Sequence, residues 1–174
     1  MNRKEKTRRL AVCAMLSALG VVLLCLGSAI EVMDLSMAVL ASLFCVFAVI
    51  EFGGSAPWLI FFVTGVLSLI LMPRSPAVTY LLFFGYYPIL KEKFEKRPRI
   101  LAWVLKESVF HVAMVLIFLA LRFLLLSPDL IDLSPWFFVT LVVLAEAVFI
   151  LYDVALTRLI SFYLFRLRDR FRWK

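Results

Sequence analysis

Neutral amide side chains are almost missing from this sequence: Asn occurs once, at Asn2, and Gln not at all. No apolar stretch therefore carries an amide. Histidine is as scarce, with His111 alone. A zinc site takes three or four ligands, and an intramembrane proton relay uses a chain of titratable groups. One histidine therefore reads first as a hydrogen-bonded packing residue, with Glu146 as an alternative partner at mid-depth. The three cysteines, Cys13, Cys25 and Cys45, lie inside apolar runs without a C-x-x-C or a neighbouring His, so they read as reduced packing residues. Also missing are H-E-x-x-H, G-x-S-x-G and the P-loop. No catalytic residue, metal or cofactor is expected.

What is abundant is apolar surface. Of 174 residues, 64% are hydrophobic, and mean hydropathy is +1.02. Soluble domains average roughly 45–50% apolar residues, so the excess calls for a lipid solvent. A spanning helix needs about 20 apolar residues, with a range near 17–25. Six stretches approach that: 10–27, 36–52, 56–72, 77–90, 100–126 and 136–165. The first runs past the length of a signal-peptide core and is taken as a retained helix. Breaks fall at Gly53-Gly54, Pro73-Arg74-Ser75-Pro76, Arg97-Pro98-Arg99 and Ser127-Pro128-Asp129. Pro135 suits the first turn of the last helix. The expectation is one all-α membrane domain, a compact six-helix bundle in a bacterial plasma membrane.

Charge gives the orientation. The chain carries 19 Lys+Arg against 12 Asp+Glu, net +7. The bases cluster before the first helix (Arg3, Lys4, Lys6, Arg8, Arg9), in a loop after the fourth (Lys91, Lys93, Lys96, Arg97, Arg99) and at the end (Arg166, Arg168, Arg170, Arg172, Lys174). The opposite side carries Glu31, Asp34, Asp129 and Asp132, with Arg74 as its base. The positive-inside rule then puts both termini in the cytoplasm. The basic tail 166–174 reads as a juxtamembrane segment on anionic lipid rather than a nucleic-acid contact, with Phe171 and Trp173 at the interface. Tyr86, Tyr87 and Trp136 read as interfacial aromatics.

Charges inside apolar helices default to being paired or functional. Helix five carries Lys106, Glu107 and His111; helix six carries Glu146, Asp153 and Arg158. The antiparallel run of these two helices makes Lys106–Asp153 and Glu107–Arg158 the expected pairs, holding the hairpin together. For a small molecule bound toward the outer face, Glu31, Asp34, Arg74 and Arg122, with Glu146 deeper, are the candidate polar contacts. Helix one has a small-residue face, Ala11, Ala14 and Ala18 with Ser17 and Gly20 nearby, of the kind that lets another helix approach closely, whether from a partner or from within the bundle.

The first part of the chain resembles the substrate-binding S components of energy-coupling factor (ECF) transporters. The resemblance lies in Thr7-Arg8-Arg9-Leu10-Ala11-Val12-Cys13-Ala14-Met15-Leu16-Ser17-Ala18-Leu19, with its Ala-x-x-x-Ala at Ala14 and Ala18. It continues in Met33-Asp34-Leu35-Ser36 leading into 38–44, and in the small-residue turn Gly53-Gly54-Ser55-Ala56-Pro57. It covers about residues 7–72. It implies that Ala14 and Ala18 dock on a membrane-embedded T component partnered by two cytoplasmic ATPases, and that a small molecule is captured from outside. The lack of amides departs from the family's vitamin pockets, and Met1-Asn2-Arg3 lacks the N-terminal histidine of its nickel and cobalt members. Two rival readings stand beside it: a non-catalytic scaffold like the MreD type of cell-shape proteins, and a proton-coupled carrier using His111, Glu107 and Glu146.

Overall fold

In the computed structural model, residues 3–72, 75–124 and 135–167 are described, and the chain divides into two units, Met1–Leu126 and Ser127–Lys174. No strand occurs among the described residues. The first unit holds α1 (Arg3–Ala29), a 3-10 turn at Glu31–Met33, α2 (Asp34–Glu51), α3 (Ala56–Leu71), α4 (Ser75–Thr79), a π turn (Tyr80–Phe84), α5 (Tyr87–Phe94) and α6 (Arg99–Leu124). The second unit holds α7 (Pro135–Phe162), which continues into a π turn at Tyr163–Leu167. Among the described residues, four helices are long and apolar enough to cross a membrane: α1, α2, Arg99–Ala120 of α6, and Val139–Arg166 at α7. Helix α3 is apolar but shorter, at 16 residues. These spans are consistent with a multi-pass membrane protein.

Contacts along α1 set the directions of its neighbours. Arg9 reaches the carbonyls of Phe52 and Gly53, while Gly20 lies near Phe44 and Gly27 against Met37, so α2 runs antiparallel. The start of α1 lies beside the start of α3, where Leu10 and Cys13 line a cavity with Ala56 and Leu59. Farther along, the Ser17 carbonyl accepts a hydrogen bond from Thr64 at 3.4 Å, so α3 runs parallel to α1. The approach is close at Gly20, where an added Cβ would sit 2.8 Å from Thr64 Cγ2. Only glycine fits there, and the buried faces around it mix small residues, Cys13, Ser17, Gly20, Thr64 and Ser68, with the larger Leu24 and Ile60. Large apolar side chains point the other way, with Met15 68% and Ile70 72% exposed. A close approach at a glycine, with many large apolar side chains turned outward, suits a bundle whose surroundings are hydrocarbon.

The α2–α3 turn forms where the paired glycines predict it. The Gly53 N–H donates to the Ala48 carbonyl at 2.9 Å, and Gly53 and Gly54 take φ of +56° and +60°. Side chains with a Cβ resist that left-handed region, and glycine there ends α2 by satisfying one of its last carbonyls.

The stretch 77–90, expected as one crossing, is in pieces. Pro88 within a continuous helix would lack its N–H and press its ring on the carbonyl four residues back. The chain widens instead into the π turn, closed by the Gly85 N–H donating to the Tyr80 carbonyl at 2.8 Å, and restarts so that Pro88 falls in the first turn of α5. Two further expectations change with it. Lys91 and Lys93 lie on α5 rather than in a loop, and Tyr87 is fully buried rather than interfacial, with its ring 5.0 Å from Phe83. Tyr80, also fully buried, has its hydroxyl 3.3 Å from Cys45 Sγ on α2.

Candidate functional site

The alternation of directions brings the start of α1, the α2–α3 turn, α5 and the start of α6 to one end of the first unit. Both basic clusters of that unit, Arg3 to Arg9 and Lys91 to Arg99, are gathered there. Three of the charges converge. Lys91 Nζ lies 2.8 Å from Glu95 Oε1, and Lys106 Nζ lies 3.3 Å from the same oxygen. The Lys91 side chain is 1% exposed and that of Lys106 7%, whereas Glu95 is 42% exposed. The Trp103 ring lies 5.6 Å from the Lys106 ammonium, within cation–π range.

Local sequence explains the convergence. Lys91 and Glu95 are four apart on α5, so they share a face. The turn at Arg97-Pro98 folds α6 back: the Arg97 N–H donates to the Phe94 carbonyl, and the Ala102 N–H to the Pro98 carbonyl, both at 2.9 Å. Lys106, two turns into α6, thus meets the end of α5. A carboxylate shared by two buried ammonium groups clamps the α5–α6 hairpin. Sequence reasoning had set Lys91 in a cytoplasmic loop and left Glu95 aside; the i, i+4 spacing after Pro88 was the signal for both. By contrast, Glu92 and Lys96 form an exposed i, i+4 pair at 2.7 Å.

A second arrangement lies at the same end. Arg9 Nη2 donates to the carbonyls of Phe52 and Gly53, the latter at 3.0 Å, and the guanidinium lies 5.3 Å from the Phe52 ring centroid. Arg9 thereby ties α1 to the last orphan carbonyls of α2, where a cation complements the helix dipole.

The candidate substrate contacts are scattered by comparison. Asp34 is half-buried and opens α2 after the 3-10 turn that contains Glu31, at the end opposite the basic clusters. Arg122 is on the last turns of α6, at that same far end. The Glu31 and Arg122 side chains and the whole of Arg74 lie outside the described residues, as do Asp129, Asp132 and 168–174. Glu146, Asp153 and Arg158 are on α7 in the second unit. The Lys106–Asp153 and Glu107–Arg158 pairs, which would join the two units, stand as expectations of the sequence. His111 is exposed rather than packed; its Nδ1 lies 2.9 Å from the Glu107 carbonyl and 3.9 Å from the Glu107 carboxylate. Ala14 and Ala18 are exposed on α1, flanking the buried face that includes Cys13 and Ser17.

No protein-family model, no curated protein and no solved structure matches the chain.

Proposed function

We propose that the chain is a multi-pass membrane subunit of the ECF S-component type, which captures a small molecule from outside and works through partner proteins. In this reading α1, α2, α3, the α4–α5 segment, α6 and α7 make six crossings, with both termini and the basic end of the first unit in the cytoplasm. The energy for uptake comes from two ATPases coupled through a T component, and the chain itself performs no reaction. The residues the sequence offers for ligand contact are Glu31, Asp34, Arg74, Arg122 and Glu146.

The observation that carries the reading is the exposure of Ala14 and Ala18. An alanine face turned outward, beside Met15, Leu19 and Val22, leaves a smooth strip on which another helix can settle closely without hydrophobic driving force. Both alanines are exposed while the neighbouring Cys13 and Ser17 are buried, so in this reading substitution at Ala14 or Ala18 disturbs a partner more than the bundle.

The test is a tagged purification from native membranes in mild detergent, with Ala14→Trp and Ala18→Trp beside the parent. Both variants should accumulate and melt like the parent. The parent should co-purify a T component and two ATPases, and the variants should lose them. Recovery of other membrane partners, held equally by parent and variants, would turn the reading to a scaffold.

A further inference from the structure

A cavity of about 360 Å³ opens between the first turns of α1 and the start of α3, lined by Lys6, Arg9, Leu10, Cys13, Ser55 and Leu59, with Ala56. Its wall is divided by chemistry. Lys6, Arg9, Leu10 and Cys13 recur at three- and four-residue spacing, so one face of α1 passes from cation to apolar side chain as it rises. Leu10 is where the basic run of the N-terminus gives way to the first apolar stretch. The cavity therefore straddles the depth at which lipid headgroup meets acyl chain. Arg9 brings a second observation: its Nε is buried and makes no hydrogen bond, although Nη2 is engaged by Phe52 and Gly53. A buried guanidinium N–H without an acceptor is an expensive arrangement, and it belongs to a residue that lines the cavity. The volume is at the low end of the range for small-molecule sites, about 300–1,000 Å³, large enough for a headgroup rather than a single ion.

The geometry points to a bound anionic phospholipid. Its phosphate takes hydrogen bonds from Lys6 and Arg9, and its acyl chain follows Leu10 and Leu59 along the groove between α1 and α3. The guanidinium is suited to two phosphate oxygens at once, the Lys6 ammonium to one. The site has a structural consequence: Arg9 also holds the end of α2, so lipid binding and the closure of the α2–α3 turn act through one side chain. This inference rests on the membrane placement of the chain and not on its transport role.

Recovery of the full chain in the membrane fraction, and its need for detergent, is scored first and tests the membrane placement by itself. The purified, delipidated protein is then titrated with phosphatidylglycerol, phosphatidylcholine or inorganic phosphate, and read by native mass spectrometry and thermal stability. One phosphatidylglycerol should be retained per chain in preference to phosphatidylcholine. A basic residue near a membrane surface contributes about 1 kcal/mol, so Lys6→Gln should weaken phosphatidylglycerol roughly fivefold. Lys4→Gln, on the opposite side of α1, should leave it unchanged. Leu59→Trp, which fills the cavity while sparing Arg9, should abolish the retained lipid. Equal losses from Lys4→Gln and Lys6→Gln would reduce the effect to general surface charge and overturn the proposal. Equal retention of the two lipids would do so as well. Stabilisation by inorganic phosphate that matches the lipid would assign the site to a soluble anion instead.

Discussion

Replacing Glu95 by Gln keeps the side-chain volume on α5 and removes the negative charge that Lys91 and Lys106 share. Its cost can be bracketed. Exposed ion pairs contribute roughly 0–1 kcal/mol, whereas stripping one partner from a fully buried pair costs about 3–5 kcal/mol. Here the two cations are buried, at 1% and 7% exposure, while the carboxylate is 42% exposed. Both lysines also have further interactions, which lowers the cost below the buried limit. The expected destabilisation is about 2 kcal/mol. With a shift of about 2–4 °C per kcal/mol for a chain of this size, Tm should fall by roughly 4–8 °C. Thermal unfolding in detergent, followed by helical circular dichroism, measures it. Glu92→Gln is the internal control: its pair with Lys96 is exposed on both sides, and its loss should stay within about 0.5 kcal/mol. A double-mutant cycle of Glu95→Gln with Lys106→Met should return a coupling above about 0.5 kcal/mol. If Glu95→Gln melts with Glu92→Gln, or the cycle shows no coupling, the clamp is not what holds α5 to α6.

Two further outcomes follow from backbone geometry and are read by the same melts. Gly20→Ala should cost about 1–3 kcal/mol, because the new methyl group meets Thr64 Cγ2 at 2.8 Å, and Thr64→Ala in the same chain should recover part of that loss; a neutral Gly20→Ala would mean that α1 and α3 do not approach so closely. Gly53→Ala should cost about 1–2 kcal/mol through its φ of +56° alone, since the nearest atom to an added Cβ, the Val49 carbonyl oxygen, is a comfortable 3.9 Å away; an unchanged Tm would show that the α2–α3 turn is made in another way.

Composition and breaks made much of the fold legible. The long apolar run at 10–27 lies within α1, the run at 36–52 matches α2 up to its C-cap residue Phe52, and the glycine pair at 53–54 forms the turn its composition implies. The reading failed where two local rules competed. At 77–90 apolar length argued for one helix, while Pro88 argued against its continuity, and the π turn at Tyr80–Phe84 resolves the conflict. Hydropathy averages over such a window and is blind to where the hydrogen-bond ladder shifts. Tyr87 was misjudged for a related reason: interfacial and core tyrosines have the same composition signal, and only the turn of α5 decides which way the ring faces.

The charges show the limit of a topological rule. Positive-inside reasoning counts Lys91 as one of a crowd, and the crowd does lie at one end of the first unit. Yet Lys91 is the most buried lysine of its cluster, paired within its own helix, and Glu95 is common to it and Lys106. A base that sets orientation by its number can also hold a hairpin by its position, and the number alone does not separate the two. A carboxylate four residues away does not separate them either, since Lys91–Glu95 and Glu92–Lys96 share that spacing. What differs is position on the helix: Lys91 lies three residues past Pro88 and is fully buried, while Lys96 lies past the end of α5 and faces solvent. Arg9 makes the same point from α1, one of five N-terminal bases by count but the one whose position lets it close the end of α2. In both places a residue recruited by charge balance has become part of the packing, so the basic end of this unit is where changes in charge will be felt as changes in fold.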